Sequence, residues 1–399
     1  MTMLSRLMGG FVLVLLIVGC TSTTPLHDPI PKNLIEAAHL PNLKHVRFWD
    51  DTSSNYSSDE RIALIRAHYG AGYFRGRHVE IEALSLSGGG EDGAFGAGLL
   101  VGWTDSGQRP EFEVVTGIST GALIAPLAFL GPRYDDELRQ AYTTLSSDQL
   151  IRADVLAALF GGESVASSKP LATFIARYTS QKMLEEIAAE YRRGRMLLIG
   201  TTNLYAQRPV VWDLGALANS GRPDALTLMR QIILASASAP PALPPVHIDV
   251  IADGKIYDEM HVDGGVTREV FIYPPDYNPR SIDAALGWKP VRRVFIIRNS
   301  KVAAEYEATK PRLIPIATRS ITTLLKAQGL GDLYKIYFTT QRDNIDFNLA
   351  YIPADAPSAP QKPFDKAYMN ALFNLGYSLG RNGYRWHKTP PGLNRNETH

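Results

Sequence analysis

A serine flanked by glycines is the residue in this sequence best suited to chemistry. Gly117-Ile118-Ser119-Thr120-Gly121 follows an apolar segment at 112–115 and precedes an apolar run that ends near Leu130. A nucleophilic serine sits at a sharp strand-to-helix turn, and glycine two positions away on each side removes the collision that bulkier residues would cause there. The following helix directs its positive end toward the serine, and the Thr120 amide can donate to an oxyanion. The pattern predicts a nucleophile elbow at Ser119.

Three consecutive glycines, Gly88-Gly89-Gly90, follow the strand predicted before the elbow. Residues without a Cβ can turn their amides toward one point, which creates an anion site at a helix start. Acyl transfer needs such a site for its tetrahedral intermediate, where each donor is worth roughly 3 kcal/mol. With Gly93 the same residues also fit the dinucleotide pattern G-x-G-x-x-G, with Glu111 or Glu113 as the ribose contact. Because that alternative leaves Ser119 unexplained, an oxyanion loop is favoured.

A carboxylate stands at the end of a later predicted strand, in Asp263-Gly264-Gly265. The two glycines give the backbone room, so this side chain can approach another loop closely. Serine hydrolysis usually employs a histidine base. His387 would complete a Ser-Asp-His order, whereas His261 is expected to be a packed or hydrogen-bonded strand residue. Without a histidine, Asp263 itself must take the proton of Ser119, and burial must then raise the pKa of its carboxyl group.

Together the three motifs resemble the patatin-like phospholipase family. The triple glycine, the G-x-S-x-G and the D-G-G stand in that family's order over about residues 80–300. The resemblance implies a Ser119–Asp263 dyad without histidine, an oxyanion loop at 88–90 and cleavage of acyl esters from lipids. One position departs from the pattern, since Asp92 stands where many members carry Arg or Lys, and this weakens the expectation of a preference for phosphate headgroups. No His, Asp and Glu cluster has metal-ligand spacing, so neither a metal nor another cofactor is expected.

The first twenty residues predict export and lipidation. Arg6 precedes an apolar run at 7–18 that is too short to span a bilayer as a helix and has the layout of a signal peptide. Ile17-Val18-Gly19-Cys20 resembles the lipobox of bacterial lipoproteins, which implies cleavage before Cys20 and its acylation, palmitate included. As the single cysteine of the chain, Cys20 has no disulfide partner. Thr21 in place of Asp implies, by the sorting pattern of such lipoproteins, the outer membrane facing the periplasm.

The elements that must position these groups alternate between strand and helix. Strands are predicted at 79–86, 112–115, 196–201, 209–212 and 294–297, and Asp253-Gly254 predicts a hairpin between 246–251 and 256–262. Helices are predicted at 93–103 and up to residue 130. This order predicts an α/β fold with a mostly parallel central sheet flanked by helices.

Four regions are expected along the chain. They are a signal peptide (1–19), a lipidated tether and N-terminal segment (20–77), a catalytic domain (78–300) and a helical C-terminal extension (301–399). In the extension an apolar helix face is predicted to pack on the catalytic domain; it consists of Phe364, Tyr368, Leu372, Leu375 and Leu379.

The net charge and the share of charged residues indicate which kinds of partner the protein can bind. The net charge is +1 and charged residues make up 20%, so no nucleic acid is expected. The predicted function is a serine acyl-ester hydrolase of the phospholipase A or lysophospholipase type, acting on membrane lipids. Two alternatives stay open: a non-catalytic envelope lipoprotein that serves as a binding module, and a small-ester esterase with a Ser-Asp-His triad. Ser236 and Ser238 are expected to be small packing residues rather than nucleophiles.

Overall fold

The computed structural model of the chain describes residues 27–43, 45–52, 58–70, 72–74, 76–144, 152–153, 164, 166–358 and 363–393. The predicted signal peptide and Cys20 lie outside these ranges. The described strands are β1 (Arg47–Trp49), β2 (Glu80–Leu86), β3 (Val114–Gly117), β4 (Arg152–Ala153), β5 (Ala166–Ser167), β6 (Met196–Asn203), β7 (Arg208–Asp213), β8 (Val246–Ala252), β9 (Lys255–Asp263), β10 (Val291–Lys301) and β11 (Asp346–Ile352). The described α-helices are α1 (Asp59–Tyr69), α2 (Gly93–Asp105), α3 (Thr120–Leu130), α4 (Asp135–Thr143), α5 (Lys169–Tyr178), α6 (Gln181–Arg192), α7 (Leu214–Asn219), α8 (Ala225–Ser236), α9 (Arg280–Leu286), α10 (Leu313–Asp343) and α11 (Lys366–Arg381).

Within the described residues, nine strands form one sheet. Its order is β1-β7-β6-β3-β2-β10-β11, with β9 paired to β6 and β8 paired to β9. The five strands from β6 to β11 are parallel, whereas β7, β1, β9 and β8 each run antiparallel to a neighbour. All eight positions of β6 are buried, as expected for a parallel strand that is covered on both faces. The predicted α/β fold with a mostly parallel sheet is confirmed.

The helix that follows the glycine run is held against the C-terminal helix by small residues. A Cβ on Gly98 of α2 would lie 2.0 Å from the carbonyl oxygen of Phe373, and one on Gly102 would lie 2.0 Å from that of Tyr377. The two backbones therefore touch, and α11 buries Leu372 and Phe373 against α2. This contact fixes α2, which directly follows the glycine loop at 88–90 and the turn after it.

The C-terminal part of the chain supplies a strand as well as helices. β11 pairs in parallel with β10 from Asp346, opposite Arg293, to Ile352, opposite Lys301. The predicted description of 301–399 as helical is corrected accordingly, because β10 crosses the proposed boundary and β11 completes one edge of the sheet. Across the described ranges, we find no helix with the length and apolar character needed to cross a membrane.

The described part of the segment predicted as a tether is held against the β8–β9 hairpin. Pro29 pairs with Asp258 of β9, and His39 pairs with Ile251 of β8. Ile30 is buried in a cluster with the hairpin formed by β8 and β9. From residue 27 onward the chain therefore belongs to the folded body, and the tether interpretation is wrong for this part.

Candidate active site

Ser119 occupies the sharp turn between β3 and α3. Its backbone angles, φ 55° and ψ −122°, fall in a region that non-glycine residues rarely adopt, and such strain is typical of functional sites. A Cβ on Gly117 would lie 2.4 Å from the carbonyl oxygen of Gly121, and a Cβ on Gly121 would lie 2.4 Å from that of Leu86. Both flanking glycines are therefore required by close backbone contacts, for the steric reason that the sequence predicts.

Asp263 reaches this turn because two strands, β3 and β9, pair one after the other along the same edge of β6. The first half of β6 pairs with β3, which ends with Gly117 opposite Ile199. The second half pairs with β9, whose last residue, Asp263, stands opposite Thr201. Because β9 begins to pair where β3 ends, the end of β9 faces the elbow.

Ser119 and Asp263 lie beside each other in the lining of the same cavity. The Ser119 hydroxyl is close enough to the Asp263 carboxyl group to lower its pKa, and the Gly265 amide donates to Oδ1 of Asp263 at 2.7 Å. Burial raises the pKa of Asp263 to about 6, although the bonds from Ser119 and Gly265 act in the opposite direction. The carboxylate is thus ionised at neutral pH and is a stronger base than a solvated aspartate. Gly265 and its neighbour Gly264 serve to shape this turn, since a Cβ on Gly264 would lie 2.6 Å from the Gly200 carbonyl oxygen.

Two glycines of the run present free amides beside the serine. Among the described residues, the amides of Gly89, Gly90 and Thr120 have no hydrogen-bond acceptor. All three residues line the same cavity as Ser119. The Gly88 amide instead donates to the carbonyl oxygen of Glu269 at 3.1 Å. Gly88 was predicted as an oxyanion donor, and it is corrected to a structural residue of the loop because its donor is already engaged.

Asn299 and Ser87 hold the glycine loop, and neither was identified from the sequence. The Asn299 amide group donates to the Ser87 carbonyl oxygen at 3.0 Å, and its Oδ1 accepts from the Gly96 amide at 3.1 Å. A Cβ on Gly89, where φ is 148°, would lie 1.9 Å from the Asn299 carbonyl oxygen. The available signal was an asparagine at the carboxyl end of a predicted parallel strand, an edge of the sheet where sites form. Gly93 has a related role, because a Cβ there would lie 2.1 Å from Oγ1 of Thr120.

The end of α8 supports both members of the dyad. Ser236 Oγ accepts from the Ser119 amide at 3.0 Å and donates to the Gly200 carbonyl oxygen at 2.7 Å. The Ser238 carbonyl oxygen accepts from the Asp263 amide at 3.0 Å. Ser236 and Ser238 were predicted as packing residues, and burial agrees with that. The structure adds a polar role for Ser236, which fixes the strained elbow.

Replacement of Ser236 by alanine should lower kcat by about tenfold with little change in KM, because an unsatisfied buried amide costs ~1–3 kcal/mol and the elbow would relax. Steady-state kinetics on a chromogenic ester measures this. Ser238→Ala is the matched control, since among the described residues the Ser238 hydroxyl donates only to the Leu234 carbonyl oxygen of α8. Equal losses in the two variants would show that local packing, not the bond to Ser119, is responsible.

Neither candidate histidine reaches the serine. His261 is fully buried between Thr201, 3.0 Å from Nδ1, and Glu259, 3.1 Å from Nε2, and burial lowers its pKa. His387 lies at the β11 edge of the sheet, where its backbone pairs with Leu349 and its ring stacks on Tyr351. Two strands, β10 and β2, separate β11 from the strand that carries the elbow. Ser119, Asp263 and His387 therefore do not form a catalytic triad in this structure.

The dinucleotide alternative also fails on geometry. Glu113 lies just before β3, where its carboxylate accepts from the Glu82 amide at 2.7 Å. Glu111 forms ion pairs with Arg193 and Arg195. Both glutamates are at the amino end of β3, whereas the glycine loop follows the carboxyl end of its parallel neighbour β2. A nucleotide on the loop could not meet a ribose ligand at the opposite edge of the sheet.

A cavity of about 730 Å³ opens above the dyad. Its volume falls within the range of ligand sites. Apolar side chains line much of it: Leu123, Leu171, Phe174, Leu243, Leu325, Leu330, Phe364 and Met369. Asp92, which replaces the basic residue of the family pattern, also lines it, accepts a bond from Tyr368 Oη at 2.7 Å and has a pKa raised to about 7 by burial.

Glu269 is a second carboxyl group beside the dyad. A Cβ on Gly265 would lie 2.9 Å from Glu269 Oε1 and 3.0 Å from Asp263 Oδ1, so only a methyl-sized space separates the two carboxyl groups. Burial raises the pKa of Glu269 to about 8, and the charges of Asp263 and Asp332 add to this while Arg298 opposes it. Glu269 keeps partial access to the cavity. At neutral pH it is therefore protonated next to an ionised base.

A plot of kcat/KM against pH should be bell-shaped, with an acid limb near pH 6 and an alkaline limb near pH 8. Asp263 must lose its proton to act as a base, whereas ionisation of Glu269 places a second negative charge beside the developing oxyanion. Glu269→Gln should remove the alkaline limb and leave the acid limb, as measured by kcat/KM against pH. An alkaline limb that persists in this variant would assign it to another group.

Among the described residues, no group of three or more His, Cys, Asp or Glu side chains is arranged to hold a metal ion.

Comparison with known proteins agrees with the motifs. Residues 84–275 match the family model of the patatin-like phospholipases. The solved structure of VipD from Legionella pneumophila is 11% identical, with a TM-score of 0.34 and coverage of 76% of this chain and 67% of that chain. The type III effector protein ExoU is 14% identical, with a TM-score of 0.20 and coverage of 76% and 53%, so the chain spans about half of its length. No curated protein matches. Residues 84–275 of this chain are thus similar to the patatin-like phospholipase domain.

Proposed function

We propose that this protein hydrolyses acyl esters of membrane phospholipids or lysophospholipids through a Ser119–Asp263 dyad. The observation that carries the proposal is that these two side chains lie together in the lining of one largely apolar cavity. A carboxylate with a pKa raised to about 6 can accept a hydroxyl proton without help from histidine. Neutral amides of Gly89, Gly90 and Thr120 complete the requirement for an oxyanion site.

The reaction proceeds in two acyl-transfer steps. As Ser119 Oγ attacks the ester carbonyl carbon, its proton passes to Asp263, and the carbonyl oxygen becomes an oxyanion that accepts from the three free amides. When the intermediate collapses, Asp263 gives the proton to the departing alcohol and an acyl-serine remains. Water then attacks this ester and passes its proton to the same carboxylate. Collapse of the second intermediate returns that proton to Ser119 Oγ and releases the fatty acid.

The cavity favours a lipid over a small ester. A short acyl group would leave most of the apolar lining in contact with water, and burying a chain recovers roughly 0.8 kcal/mol per methylene. Asp92 lines the cavity and carries no positive charge, so this position supplies no cationic contact to a phosphate. The small-ester alternative consequently has less support.

The decisive experiment incubates the purified protein with defined phospholipids and identifies the released products by mass spectrometry. We expect free fatty acid and a lysolipid or its deacylated product, and none of these from Ser119→Ala. Labelling by a fluorophosphonate should be present in the parent and absent from the same variant. A folded protein that neither labels nor releases fatty acid would instead support the non-catalytic binding module.

We further propose that Cys20 is acylated and anchors the protein to the bacterial envelope, at the outer membrane facing the periplasm. The lipobox-like residues 17–20 support this. Triple acylation would hold the chain more firmly than the marginal binding of a single myristoyl group. Mass spectrometry of the N-terminal peptide should find lipid on Cys20, and Cys20→Ser should move the protein out of the membrane fraction. An unmodified Cys20 would contradict the anchor.

A further inference from the structure

The long helix α10 has apolar side chains both in the wall of the catalytic cavity and at the protein surface. Ile321 and Leu325 line the cavity, and Gln328 Nε2 donates to the Gly265 carbonyl oxygen at 3.1 Å. Leu313 and Leu324 lie on the outer side of the same helix, where 85% and 69% of their surfaces are exposed. A helix at a protein surface normally turns its outer side to water with polar residues. The N-terminal half of α10 breaks that rule.

The exposed apolar residues are grouped on the N-terminal half of α10 and the segment before it. Leu313, Ile316 and Leu324 recur at helical spacing, so their side chains project from one face of α10. Tyr306, in the segment that leads into the helix, is 95% exposed. Tyr306, Leu313 and Leu324 are the three most exposed large hydrophobic side chains in the described part of the chain. We call these four residues the outer patch; its position beside the cavity rim indicates a surface that meets an apolar partner.

Charge beside the outer patch is positive. Lys310 and Arg312 are exposed and make no ion pair with any described carboxylate, whereas Glu305 and Glu307 are paired with Lys326 and Arg319. Two free cations next to exposed leucine, isoleucine and tyrosine are the combination by which peripheral proteins bind anionic lipid surfaces. The tyrosine fits the headgroup region because its ring is apolar and its hydroxyl is polar.

We propose that the outer patch binds the surface of a lipid bilayer and holds the mouth of the cavity against it. This inference rests on the proposed function, hydrolysis of lipids. With the outer patch on the bilayer, an acyl chain could pass from the bilayer into the cavity along α10 without crossing water. The partner is a bilayer with anionic headgroups. Apolar side chains enter the headgroup boundary while Lys310 and Arg312 bind lipid phosphates.

Vesicle co-sedimentation tests this proposal in the full chain carrying Cys20→Ser, so that no acyl group on that residue contributes. The vesicles contain phosphatidylglycerol and phosphatidylcholine. In this background, Leu313→Asp with Ile316→Asp should weaken binding at least about tenfold, because two apolar anchors are lost and two negative charges are added. Turnover of a soluble short-chain ester should stay unchanged, since neither residue lines the cavity.

Phe338→Asp provides the matched control. Phe338 is 65% exposed near the other end of the same helix and does not line the cavity. Its replacement should leave vesicle binding at the parental level. Equal binding by all three proteins, or equal loss in both variants, would overturn the proposal. A parent that sediments as a dimer and becomes monomeric in the double variant would also overturn it, because a second copy would then cover the patch.

Different outcomes refute the proposed docking surface and the proposed hydrolase activity. Patch-dependent binding by a protein that releases no fatty acid would retain the docking surface and refute the hydrolase. Release of fatty acid from vesicles at equal rates by the parent and the double variant would retain the hydrolase and refute the docking surface.

Discussion

Asp263→Asn is expected to reduce hydrolysis of a chromogenic fatty-acyl ester by about 10⁴-fold or more while the protein stays folded. Asparagine has the same shape and keeps an oxygen that can accept from the Gly265 amide, so the turn after β9 should survive. What it lacks is the ability to take the proton of Ser119. Kinetics with saturating ester, together with thermal unfolding and circular dichroism, would separate lost chemistry from lost structure.

His387→Ala is the companion variant. It should retain parental kcat/KM, because β10 and β2 separate β11, which pairs with His387, from the strand that precedes the elbow, and the His387 ring stacks on Tyr351. Substantial activity in Asp263→Asn, or a large loss in His387→Ala, would transfer the role of base away from Asp263 and restore the histidine alternative.

The elbow at Ser119 could be predicted because its requirements are local. A serine in a strained turn needs glycine two residues before it and two residues after it, and the sequence shows Gly117 and Gly121 at these positions. The order of strands and helices likewise predicted the parallel core, since each apolar run was long enough to be recognised. The Asp253-Gly254 turn predicted the β8–β9 hairpin, whose register the structure shows in full. Such signals require no knowledge of distant neighbours.

What the sequence did not reveal depends on contacts between remote segments. Ser236 accepts a hydrogen bond from the Ser119 amide because α8 ends next to the elbow. Nothing in the sequence of residues 233–240 distinguishes a serine with this role from one that only packs. Glu269 is an ordinary glutamate until burial next to Asp263 raises its pKa. β11 was missed because its apolar residues fall between two long helices and it gains its place only by pairing with β10. Each omission is a tertiary effect.

The roles within the glycine run also follow from tertiary contacts. Three successive glycines look equivalent in sequence, yet Gly88 has its amide engaged by Glu269 while Gly89 and Gly90 keep theirs free. Their tolerance for a side chain differs as well. At Gly89 the backbone of Asn299 leaves no room for a Cβ, whereas at Gly90 nothing lies within 4 Å of one. The run therefore contains one anchor, one sterically required donor and one donor in open space.

Gly89→Ala should consequently lower kcat by about 10²- to 10³-fold, the loss typical when an oxyanion donor is displaced. An alanine Cβ would lie 1.9 Å from the Asn299 carbonyl oxygen, and its φ of 148° is one that side chains rarely adopt, so the loop must move and carry its amide away. Gly90→Ala is the matched control: it meets no atom within 4 Å, its φ of 57° is accessible to alanine at modest cost, and it should lose about tenfold or less. Kinetics on the chromogenic ester and thermal unfolding would be compared for both variants. If the two lose activity equally, steric contact with Asn299 does not govern the loop, and the donor assignment at Gly89 must be abandoned.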